Sequence, residues 1–177
     1  MTKNNKYYFD EEAANRAVAF IETHIRHCKG SLAGKLFKLA DWQKDDLIRP
    51  IFGWKHKDSD LRKYRSVYCE IPRKNGKSTL GAAVALYMLF ADSELLSSKA
   101  KVFRNSITFP AKGNTYKVLS SDASLQHGHN PNAILFDELH TQKSRELFDT
   151  MQTGTGARNQ PLLFTMTTAG ASKTDGN

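Results

Sequence analysis

The feature that most constrains this chain is a change of hydrophobic period between residues 66 and 91. Ser66-Val67-Tyr68-Cys69-Glu70-Ile71 reads as a short buried strand, and the polar turn Pro72-Arg73-Lys74-Asn75-Gly76 follows it. From Ser78 to about Ala91 the apolar residues are dense enough for a largely buried helix. A strand, a polar turn and an apolar helix in that order make one βα unit of a parallel sheet. The unit sets the N-terminus of its helix at the carboxyl end of its strand, where backbone N–H groups and the positive end of the helix dipole favour an anion.

The residues at that turn suit a phosphate. Gly76 lets backbone N–H groups approach phosphate oxygens, Lys77 supplies a point charge for the β/γ oxygens, and Ser78 can place its hydroxyl on Mg²⁺. The loop departs from the general pattern, because Ile71 stands where the first glycine usually does. Gly-Lys-Ser alone also recurs by chance, so a second motif is needed. Ile134-Leu135-Phe136-Asp137-Glu138 supplies it, as a continuous apolar run that reads as a central parallel strand ending in two carboxylates. In nucleotide hydrolases an Asp there holds Mg²⁺ and an adjacent Glu polarises the attacking water.

The rest of the chain fits an α/β sheet. Ala13, Ala14, Ala17, Val18, Ile21 and Ile25 recur at helical spacing from Asp10 to about His27, with Glu11 and Glu12 in the first turn. A second amphipathic stretch runs from Asp41 to Gly53, with Pro50 disturbing its last turn. Residues 55–65 read as a polar, basic connection. Residues 102–120 alternate around Lys112-Gly113-Asn114 as a β-hairpin, residues 144–152 read as a helix, and Pro161 to Thr167 as a further strand. The expected fold is therefore an α/β parallel-sheet core of the P-loop NTPase kind, with helices on both faces, a helical lead-in over 1–65 and a core with an inserted hairpin over 66–177.

Composition narrows the classes. The 177 residues carry 26 Lys and Arg against 18 Asp and Glu, a net charge of +8, which permits an acidic partner such as nucleic acid. No apolar run approaches the roughly 18 residues of a membrane span, and Met1 to Lys6 lead into acidic residues rather than a secretory segment. Cys28 and Cys69 form neither a metal spacing nor a bridge framework, which points to a reducing, cytosolic setting. His127, His129 and His140 match no zinc pattern and read as loop histidines. Lys55, Lys57, Arg62, Lys63 and Arg65, with Lys99, Lys101 and Arg104, are candidates for sequence-blind contacts to DNA phosphates, or equally a solvated basic surface.

Taken together, Pro72-Arg73-Lys74-Asn75-Gly76-Lys77-Ser78-Thr79, Asp137-Glu138-Leu139-His140 and Thr167-Thr168-Ala169-Gly170 resemble the ATPase motor of tailed-phage terminase large subunits, which pump viral DNA into the procapsid. The Arg-Lys-Asn-Gly-Lys form of the loop is typical of that family, and Leu39-Ala40-Asp41-Trp42-Gln43 resembles its adenine-contacting glutamine motif. The resemblance runs from about Leu36 to Gly170, with its motifs in order. It implies ATP and Mg²⁺ as cofactors. Gln43 would contact adenine; Arg73, Lys74, Asn75, Gly76, Lys77, Ser78 and Thr79 would surround the phosphates; Ser78 and Asp137 would hold the metal. Glu138 would be the catalytic carboxylate, and Thr167, Thr168 and Ala169 would couple hydrolysis to movement. Arg158 stands where related motors carry an arginine that reaches a neighbouring subunit's nucleotide; a solvated loop arginine fits it as well. The implied partners are double-stranded DNA, a small terminase subunit, a portal and other copies of the chain in a ring, without a membrane, in the cytoplasm of a bacterial host.

Two departures from the family follow from spacing. Residues 92–101 are too short a connection for another parallel strand and helix, which need a dozen residues or more, so one sheet strand is expected to be missing. The chain also stops after the coupling motif, before any cluster of acidic nuclease ligands. A motor that translocates double-stranded DNA is the expected function. Two alternatives stay open: a non-catalytic remnant that binds nucleotide or DNA without turnover, and a helicase-like ATPase.

Overall fold

The computed structural model describes residues 6–72, 75–90, 100–110, 113–119, 128–139 and 145–168. Asp10 opens the first helix, α1 (Glu11–His24), by accepting the Ala13 N–H at 2.9 Å, and Ala13, Ala14, Ala17 and Ile21 form its buried face. Before it, β1 (Tyr7–Phe9) pairs antiparallel with β2 (Trp54–His56). This small ribbon lies partly inside the stretch read as a basic connection, where aromatic residues interrupt the charge. Phe9 meets the Trp54 ring edge-on at 5.3 Å. Gly53 is required beside them, because a Cβ there would lie 2.6 Å from the Phe9 ring and 3.0 Å from Ala14.

The second amphipathic stretch is helical, but its first part is wound wider than an α-helix. Trp42–Ile48 is π-helical, closed by Arg49 N–H donating to Lys44 C=O, and it runs on into α2 (Arg49–Gly53). Pro50 falls in the first turn of α2, where, lacking an N–H, it gives no hydrogen bond back to the π-helical turn before it.

The main sheet has the order β3 (Ser66–Glu70), β8 (Leu162–Thr167), β7 (Ala133–Phe136), all parallel. All six residues of the central strand β8 are buried, as a strand covered on both faces requires. Its alternation serves two cores. Leu162, Phe164 and Met166 join α1, α2 and α3 (Lys77–Phe90), while Leu163 joins Ile134, Phe136 and the Leu147 and Met151 of α4 (Glu146–Thr153). The α/β core with helices on both faces is thus present, and the helical lead-in packs into the same core as α3.

The expected hairpin is β5 (Ser106–Phe109) and β6 (Asn114–Lys117), extended by a third strand, β4 (Lys101–Val102), into a separate antiparallel sheet. Phe109 packs on Leu89 and Phe90 at the end of α3. Among the described residues the parallel sheet has three strands, and no helix is long and apolar enough to cross a membrane.

Candidate nucleotide site

Three parallel strands deliver their carboxyl ends to one edge of the sheet, which is where α/β folds build ligand sites. The loop after β3 reaches Gly76 with φ +74°, backbone that an L side chain rarely adopts, and Gly76 C=O then accepts Leu80 N–H at 2.9 Å to begin α3. After β7 come Asp137 and Glu138, and after β8 comes Thr168. Glu138 itself holds φ +54°, costly for a residue with a Cβ and a mark of a position set by function or by its neighbours.

These side chains converge. Lys77, only 8% exposed, places Nζ 2.5 Å from Glu138 Oε1, 2.8 Å from Thr168 Oγ1 and 3.9 Å from Asp137 Oδ1. The Thr168 hydroxyl donates in turn to Glu138 Oε2 at 2.9 Å, and the Ser78 hydroxyl donates to Asp137 Oδ2 at 3.2 Å. A buried ammonium is thereby met by a carboxylate and a hydroxyl, the compensation that burial demands. Lys77, Ser78, Asp137, Glu138 and Thr168 form one connected cluster. A hydroxyl and a carboxylate oxygen side by side are hard donors of the kind Mg²⁺ takes together with phosphate oxygens and water, so Ser78 and Asp137 fit that metal.

The other expected residues fall around it or apart from it. Gln43 is buried at 4% exposure; its Oε1 accepts Ala40 N–H at 3.0 Å and its Nε2 donates to Asn75 C=O at 3.3 Å, tying the π-helical segment to the loop backbone. Trp42 beside it is 39% exposed. Asn75 caps the loop through Pro72 C=O, and Thr79 is half-buried on the first turn of α3. Thr167 is buried in the sheet, its C=O bonded by Ile71 N–H, and Thr168 after it joins the cluster through Lys77 and Glu138. Arg73, Lys74 and Ala169 lie outside the described residues.

Arg158 stands at the opposite end of the sheet, just before β8, with its Nε on Asn130 C=O at 2.9 Å. Six strand residues, about 20 Å, separate that end from Thr168. It does not join the cluster.

Several basic candidates prove to be engaged within the fold. Lys55 pairs with Asp10 at 2.9 Å, and Arg62 is buried at 8% exposure with its guanidinium on Gln160 and over the Phe52 ring. Burial pulls the Arg62 pKa down to about 10. Lys63 sits among the rings of Tyr7, Trp54 and Tyr64. Lys57, Arg65, Lys101 and Arg104 are exposed, and Lys99 lies outside the described residues. Of the histidines, His129 is exposed, while His127 and His140 lie outside the described residues.

A family model described as the terminase large subunit ATPase domain matches residues 41–101 and 91–176. The chain belongs to that family. Its two matched stretches overlap at residues 91–101. The chain is 46% identical over 43 residues to protein YmfN of Escherichia coli (strain K12), covering 24% of this chain and 10% of that protein. The crystal structure of the HK97 bacteriophage large terminase matches with a TM-score of 0.68 at 21% identity, over 87% of this chain and 37% of that one. This likeness agrees with the terminase ATPase fold. The chain spans well under two thirds of either relative.

Proposed function

We propose that this chain is a terminase ATPase motor that hydrolyses Mg-ATP and uses the energy to translocate double-stranded DNA. The observation that carries the reading is the convergence of Lys77, Ser78, Asp137, Glu138 and Thr168 at the carboxyl edge of the sheet.

The roles follow from chemistry. Lys77 neutralises the β- and γ-phosphate oxygens, helped by the N-terminus of α3. Ser78 and Asp137 would hold Mg²⁺, which would supply charge shielding of the phosphate oxygens. Glu138 orients a water and accepts its proton as the water oxygen bonds the γ-phosphorus; the bond to the bridging oxygen breaks and ADP leaves. Gln43 holds the loop and contacts adenine, and Arg73, Lys74, Asn75, Gly76 and Thr79 complete the phosphate cradle. Thr168 touches both Lys77 and Glu138, so phosphate that draws Lys77 away also changes what Thr168 bonds, and Thr167 and Ala169 flank that signal at the end of β8. Arg158 lies too far to act on its own subunit's nucleotide and serves a neighbour's in a ring. Exposed Lys57, Arg65, Lys101 and Arg104 meet DNA phosphates without reading sequence. A small terminase subunit, a portal and a bacterial cytoplasm complete the setting.

Phosphate release with Mg-ATP, measured with and without linear double-stranded DNA, tests the reading. Turnover stimulated by DNA supports it. A second reading, nucleotide binding without turnover, is favoured by the outer edge of β7, the strand that carries both carboxylates and has no further strand beside it among the described residues. Binding without phosphate release at any protein concentration would select that second reading.

A further inference from the structure

Arg62 is 8% exposed, its guanidinium lies over the Phe52 ring, and among the described residues no carboxylate pairs with it. Its donors go to one residue far along the chain. The Arg62 backbone N–H and Nε both donate to Gln160 Oε1, at 3.2 and 3.4 Å, and Nη2 donates to Gln160 C=O at 2.5 Å. Nη1 is buried with no hydrogen-bond partner among the described residues. A buried cation met only by neutral acceptors, with a donor left over, is a poor source of stability, and an apolar side chain there would serve as well or better. What the planar fork does supply is placement, because it holds both the side chain and the backbone of Gln160.

Gln160 closes the turn that carries Arg158, and that turn is held from both sides. Arg65 Nη2 donates to Arg158 C=O at 3.3 Å, Arg158 N–H to Thr155 C=O at 2.9 Å, and Arg158 Nε to Asn130 C=O at 2.9 Å. Arg62 is itself fixed to β2, since His56 N–H donates to Leu61 C=O at 2.9 Å and Lys63 N–H to Trp54 C=O at 2.8 Å. Arg158 is exposed, and among the described residues its two terminal nitrogens make no hydrogen bond or ion pair. A guanidinium anchored at Nε offers those two nitrogens together, the end that takes two oxygens of one phosphate.

We propose that Arg62 is a positioning residue for Arg158: through Gln160 it holds the 158–160 turn so that Arg158 presents its terminal nitrogens to the nucleotide of a neighbouring subunit. Arg62 touches no substrate and acts only through Gln160. This role depends on Arg158 serving a neighbour's nucleotide.

Two variants of the full chain break the link from its two ends. Arg62→Met keeps an unbranched side chain without N–H groups, and Gln160→Leu removes the side-chain acceptor. With the fold checked by circular dichroism, phosphate release from Mg-ATP should show kcat lower by about tenfold or more and KM within about twofold, because the variant's own Lys77 cluster is untouched. Should Arg62→Met not fold, Gln160→Leu decides. Mixing then separates placement from plain damage. Lys77→Ala lacks its own site but carries an intact Arg158 turn, so titrating it into Arg62→Met, Gln160→Leu or Arg158→Ala should raise phosphate release several-fold. A subunit whose own site is damaged gains nothing from that neighbour. Wild-type rates in Arg62→Met and Gln160→Leu, or losses that Lys77→Ala leaves unrescued while it rescues Arg158→Ala, overturn the proposal and leave the role of Arg158 standing. An Arg158→Ala as fast as wild type or beyond rescue removes the role of Arg158, and this proposal with it. A folded wild type that releases no phosphate at any concentration removes the ATPase reading as well.

Discussion

Lys77 Nζ lies 2.5 Å from Glu138 Oε1, and the Thr168 hydroxyl bonds both residues, at 2.8 and 2.9 Å. The group expected to neutralise phosphate and the group expected to activate water are thus partners of one another. In the proposed mechanism, arriving phosphate would compete with Glu138 for the same ammonium and so free the carboxylate when substrate is present. Thr168, at the end of the central strand, is positioned to register that exchange.

Thr168→Val keeps the shape and removes the hydroxyl. The expected outcome is a fall in kcat of about tenfold with KM for ATP within about twofold, because one hydrogen bond to a charged group is lost while the phosphate contacts remain. Thr168→Ser should restore most of the rate. Steady-state kinetics of both variants check this, and equal kcat in Thr168→Val and wild type would contradict it.

Asp10 accepts Ala13 N–H and pairs with Lys55, and these contacts hold its pKa below the ordinary carboxylate value. A carboxylate with a depressed folded pKa contributes stability above its unfolded pKa of about 4 and loses it as pH falls through the folded value. Asp10→Asn keeps an acceptor at the helix start but no charge. Urea melts at pH 7 should show it about 0.5–1 kcal/mol less stable than wild type. The difference should shrink toward zero below pH 4; a difference constant across that range would contradict the assignment.

At Gly53 an added Cβ would stand 2.6 Å from the Phe9 ring and 3.0 Å from the fully buried Ala14. The ring is held against Trp54 and beneath Arg49, so it has little room to move. Gly53→Ala should cost about 1–3 kcal/mol through overpacking, seen as a lower urea midpoint at unchanged slope. An unchanged midpoint would show that the ribbon is free to shift.

Both cysteines are free; Cys28 is exposed, and burial pushes the Cys69 thiol up to about 11. A disulfide reagent at pH 8 should label Cys28 rapidly in the native protein and Cys69 only after unfolding. Equal rates for the two would contradict the burial of Cys69, the one buried residue of β3.

Much of this fold was written in local pattern. The phosphate loop, the apolar run ending in Asp137-Glu138 and the buried strand before Thr168 were legible because parallel strands covered on both faces show as continuous apolar runs. Other features depend on partners distant in sequence. Tyr7–Phe9 and Trp54–His56 are three-residue strands that exist only through each other, and a stretch of Lys and Arg hid the second. Charge alone suggested that Lys55 and Arg62 face solvent, yet their partners Asp10 and Gln160 lie on other elements. The π-helical winding around Gln43, the left-handed backbone of Glu138 and the bridging role of Thr168 left no periodic signal. The expectation drawn from the short connection at residues 92–101 falls mostly on residues outside the described ones.

The central claim is that this cluster is an ATP site in which Glu138 competes with phosphate for Lys77. Calorimetric titration of a non-hydrolysable ATP analogue with Mg²⁺ into wild type, Lys77→Ala and Glu138→Gln tests it most directly. The account predicts measurable binding to wild type, about tenfold or greater weakening in Lys77→Ala, and binding as tight or several-fold tighter in Glu138→Gln, whose side chain no longer holds the ammonium. No binding by folded wild type, or equal binding by wild type and Lys77→Ala, would contradict it.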